Sequence, residues 1–336
     1  MTTNGHAMTP AHVIDLVRPA ARPSPARGHS VVVTGHHGEI LQGVFEDADG
    51  GVHRGLVTLR CPLFASRATF VRDARPVRPV DGGVRVYPPT KWKAARAAEL
   101  TLDALGHAAG GTLTIETNTV EGWGLGSSSS DVTASILAVC RAVGGDLTPS
   151  EVARLAVRAE GAVDSLMFDG DAVLFAHREG RVLERFAKSL PPLAVIGVNP
   201  APTAPAVDTL ELKPAPYPPT SLPIFERLRD RLRRAIETED AELVGQVATE
   251  SAIINQRYLP VPHFDDLLRV ARATRAVGLQ VAHSGRVVGL LFDATSRGLA
   301  EATARTEHLL SRSLPAHRRW RFSSHESCAP ARVASA

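Results

Sequence analysis

The chain has 336 residues, 44% hydrophobic and 22% charged, the composition of a globular protein with room for two domains or one large one. Its 38 basic and 35 acidic residues nearly cancel and the basic ones are scattered, so no nucleic-acid partner is expected. No apolar run approaches the roughly 18 residues of a membrane helix, and the N-terminus lacks the apolar stretch of a secretion signal. Cys61, Cys140 and Cys328 lie too far apart to frame a metal ribbon or a disulfide network. A cytoplasmic protein without a membrane partner is expected.

In chain order, residues 1–28 are rich in Pro, Ala and Arg without periodicity and read as a disordered tail. Strands are predicted at 30–34, 55–60 and 66–71, and a helix at 91–105 stopped by Gly106. Residues 112–117 alternate like a strand. A glycine-rich loop at 122–126 then leads into a helix from 128 to 143. Thr148, Pro149 and Glu151 have capping-box spacing and open a helix running to 160. Strands follow at 172–176, 181–185 and 194–198. The stretch 199–223 carries eight prolines and reads as a loop or domain crossing. Beyond it, helices are predicted at 222–236, 239–256 and 264–277, and two strands at 279–283 and 287–292 flank a Ser284–Gly285 turn. A helix at 296–312 and a strand at 319–322 close the chain. This mixture without strict alternation predicts an α+β class, divided at the proline-rich stretch into 29–198 and 199–336.

The strongest local signal is Gly122-Trp123-Gly124-Leu125-Gly126-Ser127-Ser128-Ser129-Ser130, between a strand and a helix. Glycines permit a tight backbone turn. A helix start presents unpaired N–H groups and the positive end of the macrodipole. Together they can cradle a phosphate. The spacing matches neither a Walker A loop nor a dinucleotide fingerprint. A plain Gly/Ser turn with serine as the helix cap is the alternative.

Gly124-Leu125-Gly126-Ser127-Ser128 resembles the central motif of the GHMP kinases, which include galactokinase, homoserine kinase and mevalonate kinase. Two further stretches fit in the same order. Residues 34–43, ending Gly38-Glu39-Ile40-Leu41-Gln42-Gly43, resemble the N-terminal motif, and residues 281–291 the C-terminal glycine motif, of the L-threonine kinase branch that serves cobalamin synthesis. Val207-Asp208-Thr209 and Asn255-Gln256 are also similar to that branch. The chain departs from the family pattern at Val120-Glu121, where proline is usual, and at His36, where mevalonate kinases carry lysine.

The resemblance implies the GHMP kinase fold, with an N-terminal domain like ribosomal protein S5 domain 2 and a ferredoxin-like C-terminal domain around a cleft. It implies ATP and Mg²⁺ as cofactors and a small hydroxylated acceptor, L-threonine or a related hydroxy-amino acid. ATP phosphates would lie on Gly122, Gly124, Leu125, Gly126, Ser127, Ser128 and Ser129. Ser128 and Glu160 would ligate Mg²⁺, a hard cation that prefers oxygen. Asp164 would receive or orient the acceptor proton. The alternative readings are a surface carboxylate for Glu160 and a turn cap for Asp164, with Asp169 and Asp171 as nearby rivals.

Adjacent His36 and His37 on a strand point to opposite sides, so one of them can face the site, where it would bind an acceptor carboxylate or the transferring phosphoryl group. Glu39 and Gln42 would hold an acceptor amino group. His283, Ser284 and Gly285 would contact substrate or form a hairpin turn, and Asp208 and Thr209 would contact substrate or cap a loop. Lys91-Trp92-Lys93 reads as a helix start with a buried Trp or as a flank for adenine. The chain would act as a monomer or homodimer. Kinase action on another hydroxylated metabolite, an ATP-dependent decarboxylase and a non-catalytic nucleotide-binding module are the competing functions.

Overall fold

The structure is a computed structural model that describes residues 28–73, 83–108, 110–168, 170–205, 214–283, 286–314 and 316–325. Among these, no helix is long and apolar enough to cross a membrane. Two long strands dominate the first half, β1 (His29–Glu46) and β2 (Val52–Arg72), paired antiparallel along their length. They are followed by β3 (Val84–Tyr87), α1 (Trp92–Ala104), β4 (Gly111–Thr117), α2 (Ser127–Val143), α3 (Pro149–Glu160), β5 (Val173–Ala176), β6 (Arg181–Arg185) and β7 (Leu193–Asn199). The rest comprises α4 (Leu222–Glu237), α5 (Ala241–Asn255), α6 (Phe264–Ala273), β8 (Gly278–Val281), β9 (Val288–Asp293), α7 (Leu299–Ser313) and β10 (Arg318–Ser323).

The two strands predicted at 55–60 and 66–71 are one continuous strand, because β2 exchanges partners without breaking: β1 on one edge, β4 and β5 on the other. β3 has no counterpart among the predicted elements. It is four residues long and is held by parallel pairing to β4, a tertiary contact. The helix predicted at 264–277 ends at Ala273, and Arg275 beyond it has φ +58°.

The ten strands of the described residues belong to one sheet, with the path β10-β7-β9-β8-β1-β2-β4-β3 and β5–β6 beside β2. From β7 onward the connectivity is β-helices-β-β-helix-β, and the antiparallel order β10-β7-β9-β8 is the ferredoxin-like arrangement. The junction with the first half is the pairing of Glu39 with Val281. One buried core crosses this junction. It packs Ile40, Leu41 and Phe45 of β1 with Phe225 and Leu228 of α4, Val244 and Val247 of α5, and Leu291 of β9. Gly43 is glycine because the Phe225 ring lies over it; a Cβ there would sit 2.3 Å from the ring.

The helix opened at Thr148 has both bonds of its capping box: Glu151 N–H donates to Thr148 Oγ1 at 3.3 Å and Thr148 N–H to the Glu151 carboxylate at 2.7 Å. Thr148→Ala is expected to lower stability by about 1 kcal/mol, read as a lower urea midpoint with an unchanged m value.

Candidate active site

The glycine-rich loop connects β4 to α2, and Gly122, Gly124 and Gly126 all adopt positive φ, from 71° to 81°. At Gly126 a Cβ would lie 2.3 Å from His36 Cδ2, so the glycine serves both the turn and the approach of the histidine ring. Gly126 is also the residue that caps α2, with no side-chain cap bond, so serine does not fill that role. The first helical hydrogen bond runs from Ser130 N–H to Gly126 O. The amides of Ser127, Ser128 and Ser129 precede it and have no intrahelical acceptor. Ser130 Oγ shares a hydrogen bond with Ser66 of β2 at 2.8 Å, and His36 N–H donates to Leu125 O at 3.2 Å, which ties the loop to the sheet.

A cleft of about 420 Å³ opens over this loop. The loop, Ser127, Ser128, Ser129, Glu160, Asp164, His36, Gln42 and His283 all line it. Ser128 and Glu160 line the cleft together, and the Ser128 hydroxyl pulls the Glu160 carboxyl downward. Burial raises the Glu160 carboxyl to about 7 against the pull of Ser128 and Lys93, and its Oε2 is buried without a partner. Glu160 is thus an inward-facing carboxylate rather than a surface one.

His36 is 1% exposed and its Nε2 lies 3.0 Å from Asp164 Oδ2. Burial disfavours a charged ring here and the Asp164 and Glu39 carboxylates favour it, with a net pull upward. The N–H of Gly38 donates to Nδ1 at 2.9 Å and opposes the second proton. Nε2 is thus the ring nitrogen that presents a proton to Asp164. Burial works against the Asp164 charge, but His36, His283 and the Ser129 bond outweigh it and hold the carboxyl well below the usual range. Its Oδ1 is buried and unpartnered. Glu39 is also buried; its Oε1 meets His283 Nδ1 at 2.6 Å and its Oε2 has no partner. Of the two residues expected to hold an amino group, Gln42 lines the cleft, whereas Glu39 lies buried behind His283.

His37 points the other way. It is buried against Trp320 and Phe322, and burial next to His36 keeps it neutral, pushed down to about 3. Trp92 is 55% exposed at the cleft mouth, which corrects the expectation of a buried tryptophan; α1 buries alanines instead. Asp208, Thr209, Ser284 and Gly285, together with the rival Asp169, lie outside the described residues.

Asp131, His177, Arg54 and Tyr217 had no signal in the sequence, and Lys91 and Lys93, which read there as a helix start or an adenine flank, make ion pairs that the sequence does not anticipate. Lys91 bridges buried Asp131 on α2 (2.7 Å) and exposed Glu121 (2.6 Å), which places a cation beside the glycine-rich loop. Lys93 lies 3.8 Å from Glu160. His177, Arg54 and Tyr217 complete the far wall. Each pairing is tertiary, and no local spacing announces it.

Residues 93–176 match the family described as the GHMP kinases N terminal domain. The chain is 29% identical over 170 residues to an L-threonine kinase of Citrobacter freundii, a match covering 51% of this chain and 58% of that enzyme. It is 29% identical over 193 residues to an L-threonine kinase of Salmonella typhimurium, covering 57% of this chain and 63% of that enzyme. The chain thus matches less than two thirds of the length of either relative. Its fold is similar to that of a homoserine kinase from Cytophaga hutchinsonii, with TM-score 0.62 and 15% identity over 90% of this chain and 96% of that one.

Because Asp164 is held ionised in the fold, it adds stability that is present above the unfolded-chain value of roughly 4 and lost as pH falls toward its lower folded value. Asp164→Asn is expected to flatten the acid limb of the stability profile below about pH 4. Denaturant titrations over a series of pH values, compared with the unsubstituted chain, measure the difference.

Proposed function

From a chain that has the fold of the GHMP kinases and carries their N-terminal domain at residues 93–176, we propose an ATP-dependent kinase. It transfers the γ-phosphoryl group to the hydroxyl of L-threonine or a related hydroxy-amino acid. The observation that carries this reading is one cleft in which an uncapped helix start adjoins a buried, ionised carboxylate with an unpartnered oxygen. The 29% identity to two L-threonine kinases supports the choice of acceptor.

Phosphoryl transfer asks for in-line positioning and charge neutralisation more than covalent help. The amides of Ser127 to Ser129 and the α2 dipole would hold the nucleotide phosphates. Ser128 and Glu160 are oxygen donors lining the same cleft, and the bare Glu160 Oε2 suits a hard cation. When bound, Mg²⁺ would neutralise charge on the phosphoryl oxygens. Lys93 and Lys91 add fixed positive charge beside them.

Asp164 accepts the acceptor hydroxyl through Oδ1 while His36 steadies Oδ2. Its depressed proton affinity makes it a weak base but a constant hydrogen-bond acceptor at neutral pH. That suits a loose transition state, in which the hydroxyl proton leaves late.

ADP release with MgATP across a panel of alcohols, with products identified by phosphorus NMR, is expected to give a phosphomonoester with L-threonine. Asp164→Asn should lower kcat by about 10²- to 10⁴-fold with little change in KM for ATP. Acceptor-independent ADP release, or release of CO₂ with phosphate, would overturn the reading.

A further inference from the structure

Beyond His283 the cleft wall turns cationic. The His177 ring lies 5.5 Å from that of His283. Burial, reinforced by His283, Arg178 and Arg54, pushes His177 down to about 3 against the pull of Asp164, so the ring is neutral. Its Nδ1 is buried without a hydrogen-bond partner.

Arg54 enters the same space from β2. It stands opposite Val44 as Leu56 stands opposite Gln42, so these four side chains share one face of the β1–β2 hairpin. One edge of its guanidinium is fixed, with Nη2 donating to Ala215 O at 2.7 Å. Its Nε is buried and has no acceptor. Among the described residues no carboxylate pairs with Arg54. A guanidinium anchored at one end, with a buried donor left over and no anion among the described residues, is built to receive one, and a carboxylate matches its fork.

The unpartnered polar atoms around this end of the cleft fall into an order. Asp164 Oδ1, beside the phosphate loop, suits a hydroxyl. Behind the lining, Glu39 Oε1 holds His283 Nδ1 at 2.6 Å. The same nitrogen lies 3.8 Å from Asp164 Oδ1, so the His283 ring borders the position for the hydroxyl. Next come His177 and Arg54.

We propose that Arg54 reads the carboxylate of the acceptor, so that the site selects a free α-amino acid over an amino alcohol that lacks the carboxylate. The assignment rests on the hydroxy-amino-acid kinase reading above. It makes Arg54 a specificity-determining residue that takes no part in the transfer itself.

The test compares kcat/KM for L-threonine and for isopropanolamine, its decarboxylated counterpart, with MgATP, in the unsubstituted chain, Arg54→Gln and Arg54→Lys. The unsubstituted chain should prefer L-threonine by about 10- to 100-fold, the span of one charge-assisted contact. Arg54→Gln should lose that factor through KM for L-threonine and lose far less with isopropanolamine, so the preference collapses. Arg54→Lys, which keeps the charge without the fork, should retain part of it. A preference unchanged in Arg54→Gln overturns the proposal, as does an equal loss with both acceptors, which would mark a purely structural role through Ala215. If the unsubstituted chain binds ATP but phosphorylates neither compound, the acceptor reading itself falls, and this assignment with it.

Discussion

The hydrogen bond from His36 to Asp164 is the contact on which the rest of the cleft depends. It joins β1 to the turn after α3 in a buried setting, 3.0 Å between heavy atoms. The His36 amide reaches Leu125 in the glycine loop, and its ring rests on Gly126. The Asp164 amide donates to Ser129 Oγ at 3.2 Å. Three segments far apart in sequence thus share one imidazole, and the glycine-rich loop, the carboxylate and the sheet hold their places together. Burial strengthens each of these polar contacts and makes an unpaired group there costly. The bare oxygens of Asp164, Glu39 and Glu160 are therefore better understood as prepared than as neglected.

Charge in the cleft is sorted by depth. One side gathers Glu160 and Asp164, and Lys91 and Lys93 meet three acidic side chains there, Glu121, Asp131 and Glu160. The far wall gathers arginine and neutral histidine. His36 and His37 show how finely burial is used. They are neighbours with the same side chain and almost no exposure, but one faces two carboxylates and the other faces Trp320 and Phe322. The alternation of a strand is enough to separate these environments.

How legible this was in the sequence depended on whether the cause was local. The capping box at Thr148 and the glycines of the loop were legible, because a helix cap and positive φ are demands of a few adjacent residues. Most helices and strands were found within a few residues of their bounds for the same reason. β3 was missed, and β2 was read as two pieces, because pairing partners set their extent. In the site, the ordered motifs pointed to His36, Ser128, Glu160 and Asp164, and the fold gathers these in one cleft. Asp131 beside Lys91, and Arg54 among so many arginines, carried no mark, since what distinguishes them is a neighbour brought by the fold.

The sheet has a mechanical consequence. β1 pairs with β2 along its length and meets β8 at Glu39, so hydrogen-bonded backbone runs unbroken beneath both sides of the cleft. Such a floor resists bending, and a shared core of aromatic and aliphatic side chains stiffens it further. Two rigid bodies swinging about a flexible joint is therefore a poor picture of this molecule. What stands above the floor is fastened to it: Arg54 holds Ala215 O, and Tyr217 donates to Asn255 on α5. Geometric precision in the cleft therefore comes from the sheet beneath it and from side chains that tie the walls back to that sheet.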